Sequence, residues 1–248
     1  MIPGVSENTF AIVVPTLDEA GNIDKILAGL SDSLSETGYE YEIVVVDDGS
    51  TDGTLEQVRV WTKRDPRVRL LVRTQERGLA GAVLYGWSQS QANLLGVIDA
   101  DLQHPPELLP ELLKAAEQAD IAVASRYARN HGGNGVKGWN PLRAVVSRLS
   151  TLVAAPLISK KKLGVTDPMS GFFIIHRRCI EGLTFQTTGF KLLLEILVRG
   201  RIQRATEVAY NFGLRRAGRS KANATVALHY LHLLGRLSRD LVLRSSEP

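Results

Sequence analysis

Apolar residues in this chain come as short unbroken runs, separated by stretches in which they recur every three or four positions. Phe10–Val14 is a compact β-branched run closed by Pro15. Ile23, Ile26, Leu27, Leu30 and Leu34 follow at helical spacing, which predicts a helix over Glu19–Leu34 with Asp18 as its N-cap. Tyr41–Val46 is apolar almost throughout, the pattern of a strand buried on both faces. A helix running to Lys63, a strand over Val68–Val72 and a helix over Leu79–Gln91 come next, then strands over Leu94–Ile98 and Asp120–Ser125. Strand and helix alternating at this period predict the α/β class: a doubly wound, mostly parallel sheet flanked by helices.

In such sheets ligands gather at the carboxyl ends of the strands. The conspicuous polar motifs fall there: Pro15–Glu19, Asp47–Asp52, Asp99–Gln103 and Ser125-Arg126-Tyr127. The third is the most informative. Asp99 and Asp101 stand one residue apart after an apolar run, followed by Gln103 and a Pro105-Pro106 pair suited to opening a helix. Carboxylates spaced in this way along extended chain project to one side, where they repel unless a cation sits between them. Hard oxygen ligands suit Mg²⁺ or Mn²⁺, ions that commonly arrive with substrate phosphates. The competing reading is a solvated acidic turn ahead of a helix.

Composition narrows the classes. At 248 residues, 44% apolar and 23% charged, the chain can bury a full core and is not disordered. Its net charge of +4 is concentrated late, where Arg199, Arg201, Arg204, Arg215, Arg216, Arg219 and Lys221 crowd together. That basic region suits an anionic partner. Aromatics are 6% and are not interleaved with the basic residues, which argues against nucleic acid. The lone Cys179 excludes a disulfide framework and a cysteine metal site, and fits a reducing compartment. No signal peptide is expected from the first residues, and no run of about 18 apolar residues exists to span a bilayer.

Taken in order, Pro15-Thr16-Leu17-Asp18-Glu19, Val46-Asp47-Asp48-Gly49-Ser50-Thr51-Asp52-Gly53-Thr54, Arg77-Gly78-Leu79-Ala80-Gly81-Ala82 and Asp99-Ala100-Asp101-Leu102-Gln103-His104-Pro105-Pro106-Glu107 resemble a family 2 glycosyltransferase of the GT-A fold. Four later segments are similar to the dolichol-phosphate mannose synthases and related polyprenyl-phosphate glycosyltransferases. They are Ser125-Arg126-Tyr127, Asp167-Pro168-Met169-Ser170-Gly171-Phe172-Phe173, Gly189-Phe190-Lys191 with Glu195, and Phe212-Gly213-Leu214-Arg215 through Gly218-Arg219-Ser220-Lys221. The resemblance implies that Pro15, Leu17, Glu19, Val46 and Asp48 hold the nucleoside, with Ala100 against the ribose. It implies that Asp99, Asp101 and Gln103 hold Mg²⁺ or Mn²⁺ on the diphosphate, and that Arg126, Lys191, Arg215 and Lys221 surround sugar and phosphates, with Asp101, Arg126 and Arg215 closest to the chemistry. The mannose synthases commonly carry Tyr where this chain has Leu17, so guanine and uracil both stay open as the donor base.

The implied reaction moves a sugar, mannose from GDP-mannose first and glucose or another sugar from a UDP donor second, to a polyprenyl or dolichyl phosphate with inversion. An acceptor phosphate, with its second pKa near ~6, is largely dianionic at neutral pH and needs cations around it rather than a general base. Arg143 and Arg148 are further candidates for the lipid phosphate. None of Trp61, Trp87 or Trp139 lies in the Gln-x-x-Arg-Trp motif of processive polysaccharide synthases. The domain reading is a catalytic unit over 1–222 and a basic amphipathic helix and tail over 223–248. Residues 142–158 and 225–243 carry apolar faces beside basic residues. They fit either the headgroup region of a membrane or packing on the catalytic core. A peripheral position on the cytoplasmic face is expected, with an integral membrane partner as one route to the lipid, and Gly132-Gly133-Asn134-Gly135 reads as a loop over the acceptor. A nucleotide-sugar-binding module without transfer activity is the competing class.

Overall fold

The computed structural model describes residues 9–75, 77–128, 163–185, 191–210 and 233–239. Seven strands form one sheet: β1 (Thr9–Thr16), β2 (Glu40–Asp47), β3 (Val68–Val72), β4 (Leu94–Val97), β5 (Ile121–Ser125), β6 (Phe173–His176) and β7 (Ala205–Ala209). Their order across the sheet is β3-β2-β1-β4-β6-β5-β7. β6 runs antiparallel to both its neighbours and the other pairs are parallel. Helices α1 (Ile23–Ser35), α2 (Thr54–Arg64), α3 (Leu79–Ser88), α4 (Leu109–Ala116) and α5 (Leu192–Arg199) cover the two faces. No helix among the described residues is long and apolar enough to cross a membrane.

The two faces bury separate cores. On one, Phe10, Ile12, Val14, Ile43 and Val45 meet Ile23, Ile26, Leu27, Leu30 and Leu34 of α1 and Leu109, Leu112 and Leu113 of α4. On the other, Val13, Val44, Val46 and Val97 meet Val83 and Trp87 of α3 and the run Leu192–Leu194 of α5. Alternate residues of one strand feed opposite cores, as a period of two requires. α3 lies tight on the sheet because Gly86 leaves room: a Cβ there would come within 2.7 Å of Val13 and 3.0 Å of Val46.

Four expectations are refined. β1 runs on through Pro15 to Thr16, since proline still accepts in a parallel ladder although it cannot donate. α1 starts at Ile23 rather than Glu19, and Asp18 is not its cap; Asp18 takes a left-handed conformation (φ 57°) and accepts a bond from Thr51 N–H instead. β4 ends at Val97, so Asp101 stands in a turn rather than in extended chain. Of the 225–243 segment, the described helical part 233–239 buries Leu234 and Leu237 in the core that holds α5. There the core-packing alternative holds.

Candidate functional site

The loops after β1 and β2 are locked together before any ligand enters. Asp47, fully buried at the end of β2, accepts from Thr16 Oγ1 (2.9 Å), Gly49 N (3.0 Å), Ser50 N (2.8 Å) and Ser50 Oγ (2.6 Å). Short Asx and hydroxyl side chains make such turns because they reach their own backbone two or three residues on. Across the gap, Asp18 N donates to Ser50 Oγ, Glu19 N to Thr54 Oγ1, Ala20 N to Asp52 and Thr51 N to Asp18. Gly49 (φ 85°) and Gly53 (φ 99°) supply the left-handed turns that β-carbons disfavour.

Asp48 sits at the mouth of this loop pair. Its Oδ2 accepts from Gly78 N at 2.7 Å, and its Oδ1 faces Arg73 Nη1 at 3.4 Å. The third loop is thereby tied to the first two. Pro15 and Leu17 are partly buried beside it. Glu19 turns its carboxylate to Asn22 Nδ2 (2.8 Å) at the start of α1, where a carboxylate is favoured by the helix dipole. Val46 and Ala100 point into the two cores, so neither offers its side chain to a ligand. Arg73 and Asp47 were not singled out by sequence reasoning.

The carboxylate turn follows β4. Leu102 adopts a left-handed conformation (φ 60°) that costs a non-glycine residue roughly 1–3 kcal/mol, a strain that clusters at functional sites. It brings Gln103 N within 3.1 Å of Asp101 Oδ1. Asp101, Gln103 and His104 are buried, whereas the Asp99 side chain is 30% exposed. Asp99 Oδ1 is nevertheless buried and has no hydrogen-bond partner. An orphaned buried acceptor costs about 1–3 kcal/mol, a penalty that a cation would remove. Gly171, just ahead of β6, makes room for this carboxylate: a Cβ there would fall 2.1 Å from Asp99 Oδ2.

Opposite stands a charged cluster. Arg126, one residue past β5, closes its fork on Asp167, with Nε to Oδ2 and Nη2 to Oδ1 both at 2.7 Å, and its N–H adds a bond of 3.1 Å. Both side chains are buried. Burial works against the Arg126 charge, and the Asp167 carboxylate more than offsets it, so the guanidinium pKa is raised. Glu207 of β7 braces the arrangement by accepting from Asp167 N, Thr166 N and Thr166 Oγ1 at 2.7–2.9 Å. The sequence suggested that the Arg126 fork meets sugar or phosphate; the structure gives it to Asp167. Lys191 lies within electrostatic reach of Arg126, Asp167 and Asp99, and burial, then Arg126, lowers its pKa to about 8. Arg143, Arg148, Arg215 and Lys221, and the 132–135 and 142–158 segments, lie outside the described residues.

Among the described residues no three His, Cys, Asp or Glu side chains gather as a metal cage. Two carboxylates with an amide fit an ion such as Mg²⁺, which keeps waters and completes its shell with substrate phosphates. The geometry therefore gathers hard oxygen ligands, buried cations and a hydrogen-bonded loop frame at the carboxyl ends of the strands.

Comparison with known proteins places the chain in a family. Residues 11–184 match the family described as "Glycosyl transferase family 2". The dolichol-phosphate mannosyltransferase of Pyrococcus furiosus is 36% identical over 230 residues, covering 92% of this chain. The chain spans 63% of that protein's length. The dolichol-phosphate mannosyltransferase of Saccharomyces cerevisiae is 35% identical over 92% of this chain and 86% of its own length. Glucosyl-3-phosphoglycerate synthase from Mycobacterium tuberculosis, solved with Mn²⁺, uridine diphosphate and phosphoglyceric acid, shares the fold. Its TM-score is 0.62 at 21% identity, covering 100% of this chain and 85% of that one.

Proposed function

We propose, because the chain belongs to glycosyl transferase family 2, that it moves mannose from GDP-mannose to a dolichyl or other polyprenyl phosphate with inversion at the anomeric carbon. The observation that carries the reading is the orphaned buried carboxylate oxygen of Asp99 in the Asp99–Asp101–Gln103 turn, with Lys191, and Arg126 beside it, within electrostatic reach of that turn. Two anionic substrates must meet at one carbon, and such a site counters their repulsion from both sides. The names borne by relatives that align with 92% of the chain support the lipid-phosphate acceptor and the mannose donor.

In this reading the locked loops after β1, β2 and β3 hold the nucleoside, with Asp48 at their mouth. Asp99, Asp101 and Gln103 would hold Mg²⁺ or Mn²⁺, which when bound neutralises charge on the departing nucleoside diphosphate. Lys191 and Arg126 supply fixed positive potential where the acceptor phosphate approaches, Arg126 as a member of its ion pair and not as a forked ligand. A preionised phosphate oxygen attacks without losing a proton, so no carboxylate base is required. Arg215 and Lys221, with Arg143 and Arg148 toward the lipid, complete the proposed phosphate contacts. The protein would work at a membrane surface, on the cytoplasmic face where nucleotide sugars are held, with an integral membrane partner presenting the lipid. A UDP-glucose donor is the second reading, favoured by Leu17 in place of an aromatic residue.

The test is incubation with labelled GDP-mannose or UDP-glucose, Mn²⁺ or Mg²⁺, and vesicles carrying a polyprenyl phosphate. A labelled lipid labile to mild acid and stable to mild alkali is expected, and chelator should prevent it. Label on a free polyprenol, with the phosphate unconsumed, would overturn the acceptor assignment.

A further inference from the structure

We propose that His104 and Tyr210 form a positioning pair that fixes the Asp99 carboxylate for the cation, an inference resting on the metal reading above. Neither residue has a place in the reaction as described. Both are almost wholly buried, at 3% and 4% exposure, directly behind the carboxylate turn. The Tyr210 hydroxyl is 2.8 Å from His104 Nδ1, and His104 Nε2 is 3.7 Å from Asp99 Oδ2. The Tyr210 hydroxyl thus holds the ring through Nδ1, which leaves the Nε2 edge turned toward the Asp99 carboxylate.

The ring is held from its other sides too. Phe172 meets it edge-on at a centroid distance of 5.8 Å, and the Tyr210 ring lies tilted against it at 5.4 Å. Tyr210 is itself tied to the sheet by its N–H to Ser125 O (3.2 Å), which extends the β5–β7 pairing by one bond. Gly171 also lies against Asp99, where a Cβ would fall 2.1 Å from Oδ2. Oδ2 thus has both the His104 edge and the Gly171 backbone beside it, and Oδ1 is left buried with no hydrogen-bond partner. A rigidly aimed carboxylate is what a cation site needs, since partners of a ligand usually contribute 10–100-fold, as an order of magnitude, to metal affinity or activity.

Titration of the full chain with Mn²⁺, alone and with GDP, read from the paramagnetic resonance signal of free Mn²⁺, tests the pair independently of turnover. Asp101→Ala is the reference for loss of the site. Tyr210→Phe, which keeps the ring, and His104→Ala should each weaken Mn²⁺ binding about 10–100-fold. The double variant should be no weaker than the worse single one, because one relay is broken in each. The Mn²⁺ needed for half-maximal transfer should rise by the same factor, with kcat largely restored at saturating Mn²⁺. Should His104→Ala fail to fold, Tyr210→Phe decides alone. Binding by Tyr210→Phe within twofold of the parent, while Asp101→Ala loses it, would overturn the pair and leave the metal site standing. Parent and Asp101→Ala binding Mn²⁺ alike would overturn the metal reading and the pair with it.

Discussion

The two sides of the site are built from different materials. The proposed nucleoside side is a lattice of neutral or singly charged hydrogen bonds among Thr16, Asp18, Asp47, Ser50, Thr51, Asp52 and Thr54, all carried by two loops at the ends of adjacent parallel strands. The opposite side is a set of buried charges, Arg126 against Asp167 with Lys191 nearby, gathered from β5, from the chain ahead of β6 and from the start of α5. A hydrogen-bonded lattice fixes shape with little net charge, which suits recognition of a base and ribose. Buried ions fix potential, and breaking one partner of such a pair is far costlier than losing one neutral bond. In the proposed reading, shape on one side would serve substrate binding and potential on the other the handling of phosphate.

The largest effect expected is at the turn between the two sides. Asp101→Ala should lower transfer by about 10³-fold or more, the scale of several kcal/mol of charge stabilisation lost with the cation. Circular dichroism should be unchanged and chelator should reproduce the loss in the parent. Next comes a direct contest of materials. Asp167→Asn strands the buried Arg126 charge and should cost about 3–5 kcal/mol in urea unfolding, whereas Ser50→Ala, which removes a hydroxyl bond to the Asp47 carboxylate, should cost about 1.5–3 kcal/mol. Equal costs would erase the contrast.

Space is the third test. Gly171→Ala would place a Cβ against Asp99, and a displacement near 1 Å should lower kcat about 10²-fold with little change in donor KM.

The smallest effect is in pH. Lys191 is charged below about 8, so kcat/KM should fall as pH rises through that value, and Lys191→Arg should carry the limb upward. Its folded pKa lies below the ordinary 10.5. The unfolded chain therefore holds more protons between about pH 8 and 10.5, and this residue's contribution to stability rises, not falls, across that window. A flat profile to pH 9 would remove Lys191 from the phosphate side.

The loop motifs at the strand ends were legible in the sequence and the charged cluster only in part, for a physical reason. The motifs 15–19, 47–54 and 99–103 are contiguous, follow apolar runs and sit where parallel strands end, so topology delivers them together. The charged side depends on pairings across some forty residues, such as Arg126 with Asp167 and Asp167 with Glu207. β6 is only four residues long and shares just Phe173 with the 167–173 motif, and β7, with the pattern Ala-Thr-Glu-Val-Ala, carries little apolar signal. Val46 shows the limit of motif reading as well: it stands within a motif, but the strand's period of two turns its side chain inward.

During synthesis β6 arrives late. β4 pairs with β1 through Phe10↔Leu94 once residue 97 is made, but its other edge stays open until Phe173–His176 emerges. An open apolar edge in the middle of an unfinished sheet is a template for pairing with other chains. Asp99 and Asp101 stand immediately after that edge, and charges flanking an unavoidable hydrophobic strand act as gatekeepers against aggregation. The same carboxylates thus stand where they would hold that open edge apart from other chains before the sheet is complete.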